Sequence, residues 1–214
     1  MAKRKKWISA ILLGAGESRR MGRDKLMLPW AGKTVFEHCL DILLRSETME
    51  IVVVLRSPSQ ELEGRIARYP GPAKRKIKVV VNPDSREGMS SSIRIGLRSI
   101  QPMSRGVLIA LGDQPLLKAR TINALIRAFS QGKRKIVVPF YRKKRGNPVV
   151  FDREYVRCLM GMQGDTGGRS ILENYPEEIF RFRTGSEGVI RDIDTRRQYR
   201  ALKARESKPK AMRR

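Results

Sequence analysis

A glycine-rich turn carrying several cations follows the first apolar run of the chain. Residues 8–13 are apolar, as in a buried strand, and the run breaks at Gly14-Ala15-Gly16. A hydroxyl group and four cations follow the break: Ser18, Arg19, Arg20, Arg23 and Lys25. Glycines let the backbone turn sharply against a ligand and expose N–H groups that bind anions. Because arginine and lysine add charge-assisted hydrogen bonds to phosphate oxygens, the segment predicts a triphosphate-binding loop.

Two familiar phosphate loops do not fit this segment. The dinucleotide fingerprint G-x-G-x-x-G would need a third glycine where Arg19 stands. The P-loop would need a glycine at Met27, five residues before Gly32-Lys33-Thr34. A plain strand-to-loop turn is the remaining alternative. A plain turn explains the glycines but does not explain the hydroxyl group and the four cations that follow them.

Aspartates follow or end two further apolar runs. Asp113 comes after the strand-like run Gly106–Leu111 and one glycine. A buried carboxylate without a partner costs on the order of a few kcal/mol, so we expect Asp113 to meet a lysine or a magnesium ion brought by a triphosphate. A turn or helix-cap role is the alternative. Residues 189–193 predict a last strand, on which Asp192 and Asp194 point to the same face.

Three serines stand at the start of a predicted helix. The strand-like run 77–81 ends at Asn82, and Gly88-Met89 leads into the serines at 90–92. Serine hydroxyls cap helix N-termini and leave backbone N–H groups pointing outward. The carboxyl end of a strand is also where open α/β sheets bind ligands. The cluster therefore predicts a ligand-binding segment, with plain helix capping as the alternative.

A second glycine-rich segment, residues 164–170, opens another predicted helix. Its backbone amides and Arg169 would suit an anionic group, and a capped helix start is the alternative. Between these segments, residues 145–151 predict a turn that enters a strand.

The elements that must position these residues alternate between strand and helix from residue 8 to about residue 130. This alternation is typical of a three-layer, Rossmann-like α/β fold with a mostly parallel sheet. We expect one domain, residues 1–204, followed by a basic, disordered tail, residues 205–214. The carboxyl edge of the sheet would gather the glycine loop, the serine cluster and Asp113, and the last strand would return Asp194 to it.

Composition and charge limit the possible function classes. The chain has 214 residues, 40% of them hydrophobic, and a formal net charge of +25. No apolar run approaches the roughly 20 residues of a membrane helix, so we expect a cytoplasmic protein that does not bind membranes. The charge would attract polyanions nonspecifically. Cys39 and Cys158 are isolated and predict two buried free thiols, and the single histidine, His38, predicts a structural residue.

Several of these segments together resemble one family. L-G-A-G-E-S-R-R-M-G-R-D-K resembles the L-A-A-G-x-S-x-R-M-G-x-x-K signature of the MobA-like nucleotidyltransferases, in particular its molybdenum cofactor cytidylyltransferase branch. Five further elements of the family follow along the chain in the family's order: N-P-x-x-x-x-G-M-S-S-S, L-G-D-Q-P, R-G-N-P-V, G-D-x-G-x-R and D-I-D-T. Gly14 stands where this branch usually has alanine, and Arg196 replaces a usual proline.

The resemblance implies an activity and a set of site residues. It implies Mg²⁺-dependent transfer of CMP from CTP to the terminal phosphate of molybdopterin that already carries molybdenum, with a client molybdoenzyme as a further partner. The implied catalytic residues are Arg20, Lys25 and Asp113, and the implied Mg²⁺ ligands are Asp113 and Asp194. The implied nucleotide-binding residues are Leu13, Gly14, Ala15, Gly16, Ser18, Arg20, Lys25, Asn82, Gly88, Ser90, Ser91, Ser92 and Gly112. The implied second-substrate residues are Asn147, Gly164, Asp165, Gly167 and Arg169.

Alternatives remain open at this point. Gln114 favours CTP, but a GTP-using molybdopterin guanylyltransferase, or an enzyme for another small phosphate, would share these motifs. A basic nucleic-acid-binding protein is the alternative from a different class. Against it, only 6% of the residues are aromatic and available to stack on bases.

Overall fold

The structure is a computed structural model that describes residues 7–15, 24–164 and 168–206. Its strands are β1 Ile8–Gly14, β2 Pro29–Trp30, β3 Lys33–Thr34, β4 Glu50–Leu55, β5 Ile77–Val81, β6 Gly106–Leu111, β7 Ile136–Tyr141, β8 Lys144–Arg145, β9 Val149–Asp152 and β10 Ile179–Arg183. Its helices are α1 Val35–Leu44, α2 Gln60–Ala67, α3 Gly71–Lys74, α4 Met89–Ser99, α5 Ala119–Ser130, α6 Val156–Met160, α7 Arg169–Asn174 and α8 Arg196–Glu206.

Eight of the strands form one mixed sheet in the order β10-β7-β9-β6-β1-β4-β5, with β8 paired to β7. The strands β5, β4, β1 and β6 run parallel, as does the pair β10 and β7. β9 runs antiparallel to both of its neighbours. The prediction of a three-layer α/β fold with a mostly parallel sheet is confirmed.

The central strand β1 is buried on both faces, as expected for a parallel strand covered by helices. On one face, Ile8, Ala10 and Leu12 belong to a core that includes residues of α1, α2, α5 and α8. On the other face, Ile11 and Leu13 pack in a core built with α4, α6 and α7. The buried centre therefore fixes the carboxyl end of β1, where the glycine-rich turn begins.

Two helices begin with reciprocal capping hydrogen bonds. Thr34 Oγ1 accepts a hydrogen bond from Glu37 N at 3.2 Å, and the Glu37 carboxylate accepts one from Thr34 N at 2.9 Å. Thr195 and Gln198 make the same reciprocal pair at the start of α8, at 3.2 and 2.8 Å. Each pair satisfies backbone N–H groups that a helix start leaves without partners. α8 then continues to Glu206, beyond the predicted domain boundary at 204.

The predicted strand at residues 189–193 is wrong. The segment Glu187–Ile190 forms a short 3-10 helix, and extended backbone without a strand partner follows it. The reason is packing of backbone against backbone. A Cβ on Gly188 would lie 2.1 Å from the Leu116 carbonyl oxygen, and one on Gly146 would lie 2.3 Å from that of Val189. These close approaches hold the segment against two loops instead of aligning it with the sheet.

One other prediction needs correction, and two elements of the structure were not predicted. The serines do not cap α4, because Gly88 occupies the N-cap position at φ 96°, a conformation that suits glycine. Gly71–Lys74 forms a short helix, begun after Pro70, for which the sequence analysis gave no prediction. The edge strand β10 was not predicted.

Candidate active site

Lys25, Asp113 and Asp194 meet at the carboxyl end of the parallel strands. Lys25 Nζ lies 2.6 Å from Asp113 Oδ2 and 2.9 Å from Asp194 Oδ1. The side chains of Lys25 and Asp113 are only 13% and 15% exposed, while Asp194 is 36% exposed. One ammonium group therefore bridges two carboxylates that are 81 residues apart in sequence, as the edge-of-sheet prediction for both aspartates requires.

Backbone hydrogen bonds place each member of this cluster. Gly112 N donates to Leu13 O at 2.9 Å, which continues the pairing of β6 with β1 up to Asp113. Ile193 N donates to Asp113 O at 3.0 Å and brings Asp194 alongside. Lys25 begins a 3-10 turn whose N-cap, Asp24, accepts a hydrogen bond from Leu26 N at 2.9 Å.

The environment of the cluster shifts two pKa values. Burial alone would lower the pKa of the Lys25 ammonium, but the attraction of Asp113 and Asp194 outweighs it and holds that pKa above its usual value. Burial raises the pKa of the Asp113 carboxyl, and Lys25 opposes this rise. Lys25 is therefore charged at neutral pH, and the ion pair keeps an otherwise costly buried carboxylate in place.

The same cluster has the chemistry of a divalent-cation site. Asp113 Oδ1 is buried and has no hydrogen-bond partner within the described ranges. Mg²⁺ is commonly held by one or two carboxylates together with substrate phosphates, and Asp113 and Asp194 supply two. The described residues contain no group of three or more His, Cys, Asp or Glu side chains suited to a metal. An ion here would thus complete its coordination with water and phosphate oxygens.

Two predicted nucleotide-binding glycines pack tightly at this edge. A Cβ on Gly14 would lie 2.8 Å from Phe36 Cε2, and one on Gly112 would lie 2.9 Å from Leu13 O and 3.0 Å from Phe36 Cδ2. The close contact with Phe36 therefore explains why this chain has glycine at position 14, where the resembled branch usually has alanine. The adjacent Leu13 and Ala15 are buried.

The serine cluster is engaged within the protein. Asn82 is fully buried, and its amide nitrogen donates to Ser91 Oγ and Ser92 Oγ at 2.8 and 2.9 Å. Ser91 Oγ contacts Gly88 O at 2.8 Å, and Ser90 Oγ donates to Gly164 O at 2.6 Å. These hydroxyls shape the segment before α4, and two of its backbone amides are engaged as well, since Gly88 N and Ser91 N donate to Ser85 O and Gly88 O at 3.3 Å.

The predicted second-substrate residues divide between two cavities. Asn147 lines a cavity of about 310 Å³ beside the ion-pair cluster. Gly164 lines a separate cavity of about 530 Å³ with Glu87 and Arg94. Arg169, expected to hold an anion, is 67% exposed and pairs with Glu173 at 2.9 Å.

Sequence reasoning missed most of the wall of the smaller cavity. The wall is formed by Gln114, Lys144, Arg145, Gly146, Asn147, Val189, Ile190, Arg191 and Asp192. Gln114 is 2% exposed, and its Oε1 has no hydrogen-bond partner among the described residues. Its position directly after Asp113 was the available signal. The cations lie on β8 and in the segment mistaken for a strand, so spacing alone could not place them.

The remaining predicted residues have different outcomes. Gly16, Ser18, Arg20, Asp165 and Gly167 lie outside the described residues, so their roles stay predictions. Both cysteines are free thiols as expected, but only Cys39 is buried. His38 packs near Trp30 with ring centroids 6.3 Å apart, and burial lowers its pKa.

The described helices include none that combines the length and the apolar character needed to cross a membrane.

Comparison with known proteins identifies the family. The family model described as the MobA-like NTP transferase domain matches residues 10–179. Purine catabolism protein PucB of Bacillus subtilis (strain 168) is 29% identical over 199 residues, covering 92% of this chain and 96% of that protein. Nicotine blue oxidoreductase of Paenarthrobacter nicotinovorans is 30% identical over 205 residues, covering 91% and 96%. Molybdenum cofactor cytidylyltransferase of Escherichia coli (strain K12) is 26% identical over 191 residues, covering 88% and 91%.

Solved structures share the fold over nearly the whole chain. The crystal structure of Rv0371c from Mycobacterium tuberculosis H37Rv superposes with a TM-score of 0.78 at 24% identity, covering 94% of this chain and 99% of that one. A second crystal structure of that protein, in complex with manganese, has a TM-score of 0.73 at 23% identity, covering 93% and 99%. Solved nucleotidyltransferases have the same fold. The family resemblance read from the motifs is confirmed, and the chain belongs to the MobA-like NTP transferases.

Proposed function

We propose that this protein transfers CMP from CTP to the terminal phosphate of molybdopterin, with Mg²⁺ as its metal. The observation that carries the proposal is the meeting of Lys25, Asp113 and Asp194 at the carboxyl edge of the sheet. Two carboxylates and an ammonium group are what a metal-bound triphosphate requires: acids for the ion and a cation for the phosphates.

The reaction forms one phosphorus–oxygen bond and breaks another. A terminal phosphate oxygen of the second substrate attacks the α-phosphorus of CTP, and the bond between the α-phosphorus and the bridging oxygen breaks to release pyrophosphate. An anionic phosphate oxygen carries no proton that must be removed. The reaction therefore requires no general base beside the nucleophile.

The acidic residues of the site would bind the metal, and its basic residues would bind the phosphates. Asp113 and Asp194 hold the metal, and Lys25 binds the phosphates whose negative charge grows as pyrophosphate leaves. Arg20, from the segment outside the described residues, would add a second cation. When bound, Mg²⁺ neutralises charge on the α- and β-phosphates.

The base would be read at the start of α4. The hydroxyls of Ser90 and Ser91 are engaged with backbone oxygens, and the Ser91 amide donates to Gly88 O. We therefore assign the base contact to the Ser90 amide at the helix start. Amide donors match the carbonyl acceptor of cytosine. Guanine also has a carbonyl acceptor, and for this reason GTP is the competing substrate that the experiment must include.

The smaller cavity would take the second substrate. It adjoins the reacting centre through Gln114, the neighbour of Asp113. Lys144, Arg145 and Arg191 supply positive charge for a phosphate. The unpaired Gln114 Oε1 would accept a hydrogen bond from an N–H group of a heterocycle such as a pterin.

One relative is named an oxidoreductase, which is a different class of activity. The paired carboxylates favour nucleotidyl transfer, because hydride transfer does not require two carboxylates that pair with the same lysine. Binding of nucleic acid by positive charge would not require this cluster either, and a protein with that function would bind polyanions without the two aspartates. In that case, replacing the aspartates would leave polyanion binding intact or strengthen it.

Nucleotide selectivity and turnover test the proposal together. Melting temperatures would be measured with CTP, GTP, ATP and UTP, each with and without Mg²⁺. A nucleotide at about 100 times its Kd adds about 2.7 kcal/mol of stability, enough to raise the melting temperature by several degrees. We expect a Mg²⁺-dependent rise with CTP, and pyrophosphate release from CTP when molybdopterin is added. A rise led by GTP would assign the guanylyl reaction, and equal small rises with every polyanion would contradict the enzyme proposal.

A further inference from the structure

The outer strand of the sheet, β10, carries two arginines that no carboxylate neutralises. Arg181 and Arg183 are exposed, and neither forms an ion pair within the described ranges of the chain. Other arginines on the surface do pair with glutamates, among them Arg65, Arg94 and Arg127. The positive charge of β10 is therefore available to an acidic group outside this chain.

The strand register places both arginines on one face of the sheet. Phe140 of β7 lies opposite Arg183 of β10 on one side and opposite Arg145 of β8 on the other. Opposite residues of neighbouring strands project to the same face, and so does Arg181, two residues before Arg183. The Arg181 guanidinium carbon lies over the Phe140 ring, 5.5 Å from its centroid. This contact orients the guanidinium group through its flat face, and its N–H groups can still donate to an acid.

The other face of β10 is apolar. Phe180 and Phe182 alternate with the arginines and are half-buried. Both pack against the core that includes residues of α1 and α5. The edge of the sheet is thus cationic on one face and apolar on the other.

The backbone groups along the outer side of β10 are open. β10 stands at the end of the strand order, and β7 is its neighbour. Thr184 N donates to Phe140 O at 2.9 Å, so the backbone groups of the two phenylalanines also face β7 by the alternation of a strand. The N–H and C=O groups of Arg181 and Arg183 therefore point away from the sheet. An open edge of this kind can accept a further strand.

These features together define which strand would fit. A strand added to β10 would set alternate side chains beside the arginines and the remaining ones beside the phenylalanines. Acidic side chains suit the first positions, and apolar side chains suit the second. A second copy of β10 would instead bring cations next to cations, which is destabilising.

We propose that β10 binds an extended segment of another protein, in which acidic and apolar residues alternate, as an added edge strand. Arg145, in the same row across the sheet as Arg183, also lines the smaller cavity. A protein bound to this edge would thus lie beside the site proposed for the second substrate. The surface goes beyond the proposed function, and its binding does not depend on the reaction at the active site.

The test uses a blocked hexapeptide of alternating glutamate and valine with the full-length protein in low salt. Amide hydrogen exchange, followed by NMR, reports on the backbone edge. We expect the peptide to slow exchange of the Arg181 and Arg183 amides, because their N–H groups would donate to it. A hexapeptide of alternating lysine and valine should leave both amides unchanged.

Matched substitutions test the charge. Arg181→Gln and Arg183→Gln should each weaken binding of the acidic peptide about two- to fivefold, the effect of one exposed ion pair. Both residues are exposed, so neither variant should unfold. Lys78→Gln removes a cation from β5, the strand at the opposite edge, where Lys78 donates to Ser99 O at 3.1 Å. It should bind the peptide as tightly as the wild type.

The possible results separate a strand-binding edge from charge alone. Arginines that only protect the edge from pairing would leave both amides exchanging at the same rate with and without the acidic peptide, and the proposal would be wrong. Polyuridylate that slowed the same amides as strongly as the peptide would also overturn it, since the surface would then bind any polyanion. Failure of the wild type to transfer CMP would refute the proposed function, and the peptide comparison would still decide this inference.

Discussion

Replacing Gly188 by alanine tests whether backbone packing places Asp194. The new Cβ would lie 2.1 Å from the Leu116 carbonyl oxygen, 2.4 Å from its carbon and 2.8 Å from Leu117 N. All three are backbone atoms, so no rotamer change can relieve the contact. Because Gly188 does not have a positive φ, the substitution tests packing without added backbone strain.

The size of the effect follows from that contact. Relieving it requires the two backbones to separate by about 1 Å, since carbon atoms pack at roughly 3.5–4.0 Å. Overpacking of this kind costs about 3 kcal/mol, the upper end of the usual range. For a chain of this length, each kcal/mol lowers the melting temperature by about 2–4 °C. We therefore expect a fall of roughly 6–12 °C.

The assay is thermal unfolding with a matched glycine substitution. Gly64→Ala places a methyl group in α2 where no atom lies within 4 Å, so it should gain about 0.5–1 kcal/mol. Gly188→Ala should also weaken Mg²⁺-dependent CTP binding, because Ile193 N holds Asp194 near Asp113 through a 3.0 Å hydrogen bond. A melting temperature for Gly188→Ala within about one degree of the wild type would refute the packing argument.

Two further predictions concern titrating groups. Burial alone would raise the pKa of Glu187, but Arg205 and Arg191 outweigh it and hold that pKa below 4.5. The stabilisation is thus present above about pH 4.5 and lost as the pH falls through the folded-state pKa. The melting temperatures of the wild type and of Glu187→Gln would be measured against pH. On acidification the variant should lose less stability than the wild type, by about 0.2–1 kcal/mol. Parallel curves of melting temperature against pH would contradict this prediction. Burial raises the pKa of the Cys39 thiol, so a disulfide reagent should modify only Cys158 in the native protein and both cysteines after unfolding. Two reactive thiols in the native state would contradict that burial.

Much of the fold was predictable because local patterns and tertiary structure agree. Apolar runs such as Glu50–Leu55 are buried on both faces of the sheet, as parallel strands covered by helices are. Asp113 was placed correctly at the carboxyl edge because it follows the parallel strand β6, whereas Asp194 reaches the same edge from extended backbone and not from the strand predicted for it. These features depend on neighbours in sequence or on the general geometry of α/β folds.

The features that the sequence did not predict depend on contacts between segments that are distant in the chain. The run at residues 189–193 has the composition of a strand, but Gly188 packs against Leu116 and holds it away from the sheet. Arg169 pairs with Glu173 one helical turn away, a contact that was not predicted, and its anion-binding role stays a prediction. The partners of Lys25 follow from the fold and not from its own loop. A cation near glycines predicts a phosphate partner, whereas in the structure Lys25 pairs with two carboxylates.

The most direct test of the metal–nucleotide site is CTP affinity with and without Mg²⁺, measured by titration calorimetry for the wild type, Asp113→Asn and Asp194→Asn. Asparagine keeps the size of the side chain and removes the charge that a metal needs. We predict that Mg²⁺ strengthens CTP binding to the wild type and has little effect on either variant. If both variants kept the full Mg²⁺-dependent gain in affinity, Asp113 and Asp194 would not hold the metal, and the account of this site would be wrong.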